Sequence, residues 1–403
     1  MMIRPLICVI NPGRIHTDVT LKLHPQGEFI APDLIEIPPA FAYAPLINAH
    51  DHLVGNWFPR SGDNRPYPSS HLWVEDMKQS FSIQERNNFW INPGDGNYTE
   101  ERALLLAQLG AYKNLFSGCG FVQDHSPRQP DSYYDSFPIT VIRDYQQCHS
   151  LILKNWWGGF TAVEEMALTK GKMPFILHLA EGADEVAKKE FGLLKEQGLL
   201  KPNLLLVHGI ALTKAQLQEI AQAGASICWC PTSNFYLIGK TLDINTCLEL
   251  GINVALGTDS TQTGSINLLD EIAQAHLKFP EIPLQTLYQM VTVNAAKALF
   301  IPAEKAVLDP EKTTELLLID ALDSDPFANL LEVSSEHIQL LLHNGLPLYG
   351  DAAWLEYFAS PPADYTEFRV GKREKFVLGD PLELNDRIDE ALGYHKDFPF
   401  LPF

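Results

Sequence analysis

Buried strands and amphipathic helices alternate regularly along the middle of the chain. Apolar runs such as "MPFILHLAEG" and "NLLLVHG" are each followed by a helical pattern, for example "ADEVAKKEFGLLKEQG". Strands that alternate with helices at this pace predict parallel β/α units, because parallel strands need a crossover connection. About eight such units fit into residues 46–305, and about 250 residues is the usual size of a TIM barrel. We therefore expect an α/β fold built on a TIM (β/α)8 barrel.

The two ends of the chain have a different character. Residues 1–45 and 312–360 contain short apolar stretches, such as "PLICVI" and "HIQLLLHNG", which are typical of short β-strands. We expect these segments to form one small β-sandwich domain beside a barrel of residues 46–311, followed by a C-terminal tail of open role, residues 361–403. Residues 54–98 are expected to form a long functional loop with one short helix.

Charge and composition argue against two classes of partner. The chain has 403 residues and a formal net charge of −20, which is unfavourable for binding nucleic acid. It contains no run of about 18 apolar residues, so no membrane span is expected, and its first residues lack a signal-peptide core. The six cysteines include no CxxC motif. A cytoplasmic location fits these features best.

Two histidines stand one residue apart in "NAHDH", at the end of the first predicted barrel strand. Side chains at positions i and i+2 of a strand point to the same face, so His50 and His52 are expected to face one spot. Neutral imidazole is a common ligand for zinc and similar ions. Two surface histidines in a loop would explain this short stretch equally well.

The ends of the later strands favour the metal interpretation. The chemistry of a TIM barrel collects at the C-terminal ends of its strands, and His178, His208 and Asp259 stand at the ends of three further strands. With the first pair, four histidines and one carboxylate are expected to converge on one mouth. Imidazole and carboxylate sets of this kind bind zinc, or less often iron or manganese, so a divalent metal site is expected here.

The stretches that carry these residues resemble the amidohydrolase superfamily, and within it the branch of cytosine deaminase, guanine deaminase and triazine hydrolase (chlorohydrolase). The similar stretches are "LINAHDHL", "SGCGFVQDH", "HLAEG", "VHGIALTKAQLQEIAQAGASICWCPTSNFYL", "VALGTDS", "VTVNAAKALF" and "HNGLPLYGD". They cover roughly residues 30–350. The resemblance implies a TIM barrel flanked by a small β-sandwich from both termini. It also implies a metal-dependent hydrolase that acts on C–N bonds other than peptide bonds.

The resemblance assigns a role to each matching residue. The implied ligands of a single metal ion are His50, His52, His178 and Asp259. Glu181, three residues after His178, matches the glutamate that shuttles protons in the deaminases. His208 matches the histidine beside the reacting water or substrate, where it can stabilise developing negative charge, and Asp259 can assist the proton transfer.

Other residues are weaker candidates for the substrate pocket. Ser233 and Asn234, in "CPTSNFYL", match a pocket-lining loop of the family. Trp57 is a candidate for stacking on a flat substrate and His125 for lining the pocket, with loop packing or capping as the alternative for each. Lys154 stands where binuclear members carry a carboxylated lysine, and a surface lysine is the favoured alternative.

These features predict a hydrolase that uses a metal-activated water to deaminate a small nitrogen-rich heterocycle and release ammonia. The alternatives on the same scaffold are a hydrolytic dechlorinase and a cyclic amidase, and a more remote alternative is a non-catalytic assembly protein. No basic cluster stands near the ligand motifs in the sequence, so a free base is preferred to a nucleotide as the substrate. The sequence leaves open whether the protein forms a homodimer.

Overall fold

The computed structural model describes residues 1–90, 100–155 and 157–403. The strands are β1 (Met2–Ile3), β2 (Ile7–Asn11), β3 (Arg14–Thr17), β4 (Leu21–Lys22), β5 (Leu34–Ile35), β6 (Ala40–Tyr43), β7 (Leu46–Asp51), β8 (Cys119–Asp124), β9 (Thr140–Val141), β10 (Gln146–Ser150), β11 (Phe175–Leu179), β12 (Leu204–His208), β13 (Ser226–Trp229), β14 (Asn253–Leu256), β15 (Leu316–Asp320), β16 (Ile338–His343), β17 (Leu346–Asp351), β18 (Tyr365–Val370) and β19 (Arg373–Leu378). The helices are α1 (Ser70–Met77), α2 (Phe81–Trp90), α3 (Glu100–Leu115), α4 (Ala162–Leu168), α5 (Glu185–Glu196), α6 (Lys214–Ala223), α7 (Pro231–Ile238), α8 (Ile244–Glu249), α9 (Leu268–Lys278), α10 (Leu284–Met290), α11 (Val293–Leu299), α12 (Pro326–Glu332) and α13 (Pro381–Leu392). Within the described ranges, none of the helices combines the length and the apolar character that a membrane span requires.

Two parallel sheets form the centre of the fold. The strands β7, β8 and β9 make a three-stranded sheet, and β10 to β14 make a five-stranded sheet in that order. Most of these strands are buried along their whole length, as parallel strands covered on both faces must be. The predicted parallel β/α architecture is therefore confirmed. Strand pairing among the described residues does not join the two sheets into one closed ring, so the complete barrel stays a prediction.

The two parallel sheets meet where β7 lies beside the end of β14. The amide of Asp259, just beyond β14, donates a hydrogen bond to the carbonyl of His50 over 3.1 Å. Gly257 allows this close approach, because a Cβ atom there would lie 2.7 Å from the Cβ of His50. Two strand ends that carry predicted site residues are thereby held side by side.

Both ends of the chain contribute to one mixed eight-stranded sheet, with the order β18-β19-β17-β16-β15-β6-β2-β3. Alternate residues of β15 face its two sides. Leu316 and Leu318 pack into a cluster shared with the small sheet β4-β1-β5, whereas Leu317 and Ile319 pack into the large core around the parallel sheets. The segment predicted as a tail supplies β18, β19 and α13, while the predicted domain boundaries stay a prediction.

Three segments differ from the expectation from sequence. The strand predicted at "SLILKNW" is wrong, because β10 ends at Ser150 and the following residues form a turn; Trp156 lies outside the described residues. The loop predicted at "PTSNFYL" is the helix α7. The long first loop contains two helices, α1 and α2, where one short helix was expected, and its residues 91–98 lie outside the described part.

Candidate metal centre and active site

Three imidazole nitrogens and one carboxylate oxygen converge at the ends of β7, β11 and β14. The Nε2 atom of His178 lies 3.1 Å from Nε2 of His50 and 3.3 Å from Nε2 of His52. Oδ1 of Asp259 lies 3.5 Å from Nε2 of His52. Ligand atoms on a tetrahedral zinc ion, bonded at about 2.0–2.1 Å, are about 3.3 Å apart. The donor set and its spacing therefore fit a divalent metal ion.

Neighbouring groups hold the outer atoms of these side chains, so that the inner atoms face one centre. Nδ1 of His178 donates to the carbonyl of His149 over 2.7 Å, and Nδ1 of His50 lies 3.3 Å from Oε1 of Gln123. Oδ2 of Asp259 accepts hydrogen bonds from the hydroxyls of Ser233 and Thr263, at 2.7 and 2.9 Å. His50 and His178 thus keep Nε2 for the centre.

The electrostatics of the site suit metal binding. Burial, followed by the neighbouring histidines, holds the pKa of His50 and of His178 well below the usual range, which keeps both rings neutral. Burial alone would raise the pKa of Asp259, but the adjacent His52 and His208 lower it overall, so the carboxyl is ionised. Neutral imidazoles and a carboxylate are the protonation states that a metal ligand needs.

Glu181 and His208 form a pair beside the four proposed metal ligands. Oε1 of Glu181 lies 3.5 Å from Nε2 of His208, whose Nδ1 donates to Oδ1 of Asn234 over 2.8 Å. Burial raises the pKa of Glu181, while the nearby His208 acts in the opposite direction. A half-buried carboxyl whose pKa is raised is suited to accept a proton and to return it.

One cavity with a volume of about 400 Å³ is bordered by five of the predicted site residues, His52, His178, Glu181, His208 and Asp259. Part of its wall is apolar, and the rest carries charged and polar side chains. The apolar part includes Val54, Phe58, Trp73, Val74 and Leu153, and the polar part includes Glu75, Lys78, Arg86, Ser126, His149 and Gln262. Such a volume suits a small organic molecule, with its reacting atom next to the imidazole and carboxylate groups.

The predicted pocket residues take different positions. Ser233 and Asn234 are buried and hold Asp259 and His208 by the hydrogen bonds described above, so they act on the site from behind. Trp57 is buried against Phe89 and donates to Glu85, which agrees with the loop-packing alternative. The side chain of Lys154 is exposed in the turn after β10, in agreement with the surface alternative.

His125, which follows β8, packs against the proposed metal ligands and is only 1% exposed. His50, His125 and His178 can each offer one ligand atom within 4.8 Å of the others. However, the rings of His125 and His178 are parallel within 3°, with centroids 4.4 Å apart, so they lie face to face. His125 therefore supports the ring of His178, and its predicted contact with substrate stays a prediction.

Sequence reasoning missed His149 and the pair of Lys113 and Asp51. His149 is on β10 and borders the cavity, and burial together with His52 lowers its pKa to about 3. Placing the fourth strand at 146–150 would have put His149 at a strand end. Lys113 and Asp51 are fully buried beneath the proposed metal ligands. A lysine within the apolar pattern of α3 was the sequence feature that could have pointed to this pair.

Comparison with known sequences identifies the family. A profile of the amidohydrolase family matches residues 157–348. A 5-methylthioadenosine/S-adenosylhomocysteine deaminase of Pyrococcus furiosus is 35% identical over 144 residues, which are 32% of this chain and 34% of that relative's length. The match therefore spans about a third of that relative. An enzyme of the same name from Teredinibacter turnerae is 30% identical over 358 residues, which are 79% of this chain and 80% of its own.

Solved structures share the fold at lower identity. An adenosine deaminase of Xanthomonas campestris with bound zinc has a TM-score of 0.69 at 17% identity, over 86% of this chain and 92% of its own. An atrazine chlorohydrolase of Arthrobacter aurescens in complex with zinc has a TM-score of 0.68 at 16% identity, over 97% and 99%. At these identities the likeness concerns the fold alone. Together with the long match to the Teredinibacter relative, the family profile shows that this chain belongs to the amidohydrolase family.

Proposed function

We propose that the protein is a metal-dependent hydrolase that removes an amino group from a small nitrogen-rich heterocycle and releases ammonia. The observation that carries this proposal is the half-buried carboxyl of Glu181, which lies 3.5 Å from His208 on the wall of the cavity that the proposed metal ligands His52, His178 and Asp259 also border. Hydrolytic deamination needs such a group to move a proton from water to the departing nitrogen. The names of the relatives, which are deaminases, support the same reaction.

We infer that one zinc ion would be held by His50, His52, His178 and Asp259. An ion in such a site lowers the pKa of a bound water from about 15.7 towards about 7 and so supplies the nucleophile. The distances between the ligand atoms of these four residues fit a single tetrahedral ion. Lys154, the candidate for bridging a second ion, is exposed and is not among the residues that border the cavity. Iron and manganese are the alternatives, because they accept the same donor atoms.

The reaction then depends on three side chains of the protein. Water adds to the carbon that bears the amino group, and the carboxylate of Glu181 accepts the proton that the water loses. His208, held by Asn234 through Nδ1, faces the cavity with Nε2 and stabilises the negative charge that develops. Glu181 returns its proton to the amino nitrogen, the C–N bond breaks, and ammonia leaves.

The cavity favours a flat ring with one polar edge. Trp73 and Phe58 supply apolar surface, and His149 lies near the metal ligands. Lys78 and Arg86 also border the cavity, so the sequence-based argument against a nucleotide substrate no longer holds. Because relatives are named 5-methylthioadenosine/S-adenosylhomocysteine deaminases, we add these two nucleosides to the free bases as candidate substrates.

We also infer that the two parallel sheets are arcs of one TIM barrel, because β14 lies beside β7 and the ends of both parallel sheets contribute to one site. The mixed sheet and the small sheet, joined by one apolar cluster, would form the β-sandwich. Residues 1–45 with 312–360, residues 46–311 and the tail 361–403 stay the predicted domains. The cytoplasmic location and the homodimer also remain predictions.

The proposal is tested by measuring ammonia release from zinc-loaded protein with aminated purines, pyrimidines, pterins, triazines and the two nucleosides named above. Glu181→Gln should lower turnover by about 100-fold or more while the zinc content is unchanged, since only the proton transfer is lost. Glu196→Gln, on the exposed end of α5, is the matched control and should keep full activity. Turnover of a chlorinated ring or a cyclic amide without any ammonia release would instead support the dechlorinase or amidase alternative.

A further inference from the structure

Lys113 is a fully buried lysine that lies beneath the proposed metal ligands, His50, His52, His178 and Asp259. Its ammonium group, carried on α3, is surrounded by five oxygen atoms. They are Oδ1 and Oδ2 of Asp51 at 3.3 and 3.2 Å, Oδ1 of Asn56 at 2.8 Å, Oγ1 of Thr258 at 3.1 Å and the carbonyl oxygen of Asp259 at 3.2 Å. The three N–H donors of an ammonium are therefore fully used.

The oxygens around Lys113 belong to the two segments that carry metal ligands. Asp51 stands between His50 and His52 at the end of β7, and Thr258 precedes Asp259 after β14. One cation thus cross-links the ends of both strands from below. The ligands His52 and Asp259, whose Nε2 and Oδ1 atoms lie 3.5 Å apart, are on the two segments that this cross-link joins.

The backbone of Asp259 needs such support. Its φ angle is +54°, in the left-handed region that residues other than glycine seldom adopt. Its carbonyl accepts from the ammonium of Lys113 and from the hydroxyl of Thr258, at 3.2 and 2.9 Å. These bonds fix the peptide in the conformation that turns the side chain of Asp259 towards His52.

Stability alone does not account for a lysine at this position. Taking an ammonium out of water is unfavourable, and a buried ion pair is often no more stabilising than apolar residues of the same size. Asp51 is also saturated, because it accepts from Asn56 and Asn114 at 3.0 and 2.7 Å. A charged group that is held so completely, at the junction of two ligand-bearing segments, indicates a role in geometry.

We propose that Lys113 is a positioning residue for the metal centre: its ammonium holds the end of β7 and the peptide of Asp259 in the relative arrangement that the metal ligands require. This inference rests on the proposed metal site and adds a residue that touches neither metal nor substrate. Loss of a group that orients a metal ligand through hydrogen bonds typically weakens metal binding by about 10- to 100-fold.

The test compares Lys113→Met, the double variant Lys113→Met with Asp51→Asn, and Lys375→Met. Lys375 is the matched control, because it is equally buried and pairs with Asp351 at 2.7 Å in the mixed sheet, which carries none of the proposed ligands. The measurements are the zinc dissociation constant by chelator competition, the visible spectrum of the cobalt(II) form and the thermal unfolding of metal-free protein.

Lys113→Met should raise the zinc dissociation constant by about 10- to 100-fold and alter the cobalt spectrum. The double variant, which leaves no unpaired buried charge, should regain thermal stability but keep the weakened zinc binding and the altered spectrum. Lys375→Met should lose stability with unchanged zinc binding. Wild-type zinc affinity and cobalt spectrum in the double variant would overturn the inference, even where Lys113→Met alone fails to fold. Failure of the wild-type protein to bind zinc would overturn the metal site itself and this inference with it.

Discussion

Glu271 is a buried carboxyl group on α9 that contacts the start of another helix, α7. Its Oε1 accepts the amide of Thr232, in the first turn of α7, over 3.0 Å. The hydroxyl of Ser265 donates to its other oxygen. The next two residues of α7, Ser233 and Asn234, hold Asp259 and His208. Glu271 therefore anchors the helix that orients two predicted catalytic residues.

Glu271 should make the stability of the protein depend on pH. Burial raises its pKa from 4.5 to about 7, although its hydrogen-bond donors act in the opposite direction. A raised carboxyl pKa contributes stability below the unfolded value, and this contribution is lost as pH rises through the folded value. Between pH 4.5 and pH 7 the loss amounts to about 3 kcal/mol. Glu271→Gln, whose Oε1 can accept the amide of Thr232 and whose Nε2 can donate to the hydroxyl oxygen of Ser265, should remove this part of the pH dependence.

The measurement is urea unfolding of metal-free wild-type and Glu271→Gln protein between pH 5 and 8.5. The difference in unfolding free energy should shift in favour of the variant as the pH rises. Parallel curves for the two proteins at every pH would show that the pKa of Glu271 is not raised.

At the scale of residues, sequence reasoning located the convergent polar groups but not what holds them. His50, His52, His178 and Asp259 could be predicted to meet because each stands at or just beyond the end of a parallel strand. The positions of their outer partners depend on contacts between distant segments, such as that of Lys113 with Thr258. Residue spacing along one segment gives no information on such contacts.

At the scale of elements, the errors fall where polar side chains face the site. The strand β10 carries Gln147 and His149, so its pattern is less apolar than that of a buried strand, while the apolar residues after Ser150 lie in a turn. The helix α7 begins with Pro231 and has polar residues in its first turn, which resembles a loop in the sequence. The other strands of the parallel sheets were predictable because both of their faces are covered by apolar packing.

The contact between β14 and β7 allows a prediction for this pair of strands. A Cβ atom on Gly257 would lie 2.7 Å from Sγ of Cys228 and 2.9 Å from the carbonyl oxygen of His50, and neither strand can yield easily. Gly257→Ala should therefore destabilise the protein by about 1–3 kcal/mol and weaken zinc binding, because His50 is displaced.

Gly192→Ala is the control for this substitution. Gly192 lies within α5, and no atom lies within 4 Å of its added Cβ, so alanine should stabilise the helix by about 0.5–1 kcal/mol without any change in zinc binding. Chemical denaturation and chelator competition measure both effects. Unchanged zinc affinity in the Gly257 variant would contradict the close contact of the two strands.

At the scale of the whole molecule, the C-terminal segment supports the wall of the cavity from outside. Lys396 and Tyr394 both donate to Glu85 on α2, and Trp57 donates to the same carboxylate over 3.1 Å. The ammonium of Lys396 also lies 4.6 Å from the centre of the Trp57 ring. The next residue of α2, Arg86, borders the cavity. The segment 361–403, whose role the sequence left open, is thereby connected to the cavity through one helix.

This connection predicts an effect of the C-terminal segment on substrate binding. Lys396→Met should loosen α2, because a buried carboxylate loses its cation, and the Michaelis constant should rise while zinc content and kcat change little. Hydrogen exchange of the amides of residues 81–90 should become faster. Arg387→Met is the control, since Arg387 pairs with Glu101 at 2.6 Å on the exposed face of the same segment, and it should change neither quantity. Unchanged exchange in α2 together with an unchanged Michaelis constant in Lys396→Met would show that the segment only covers the surface.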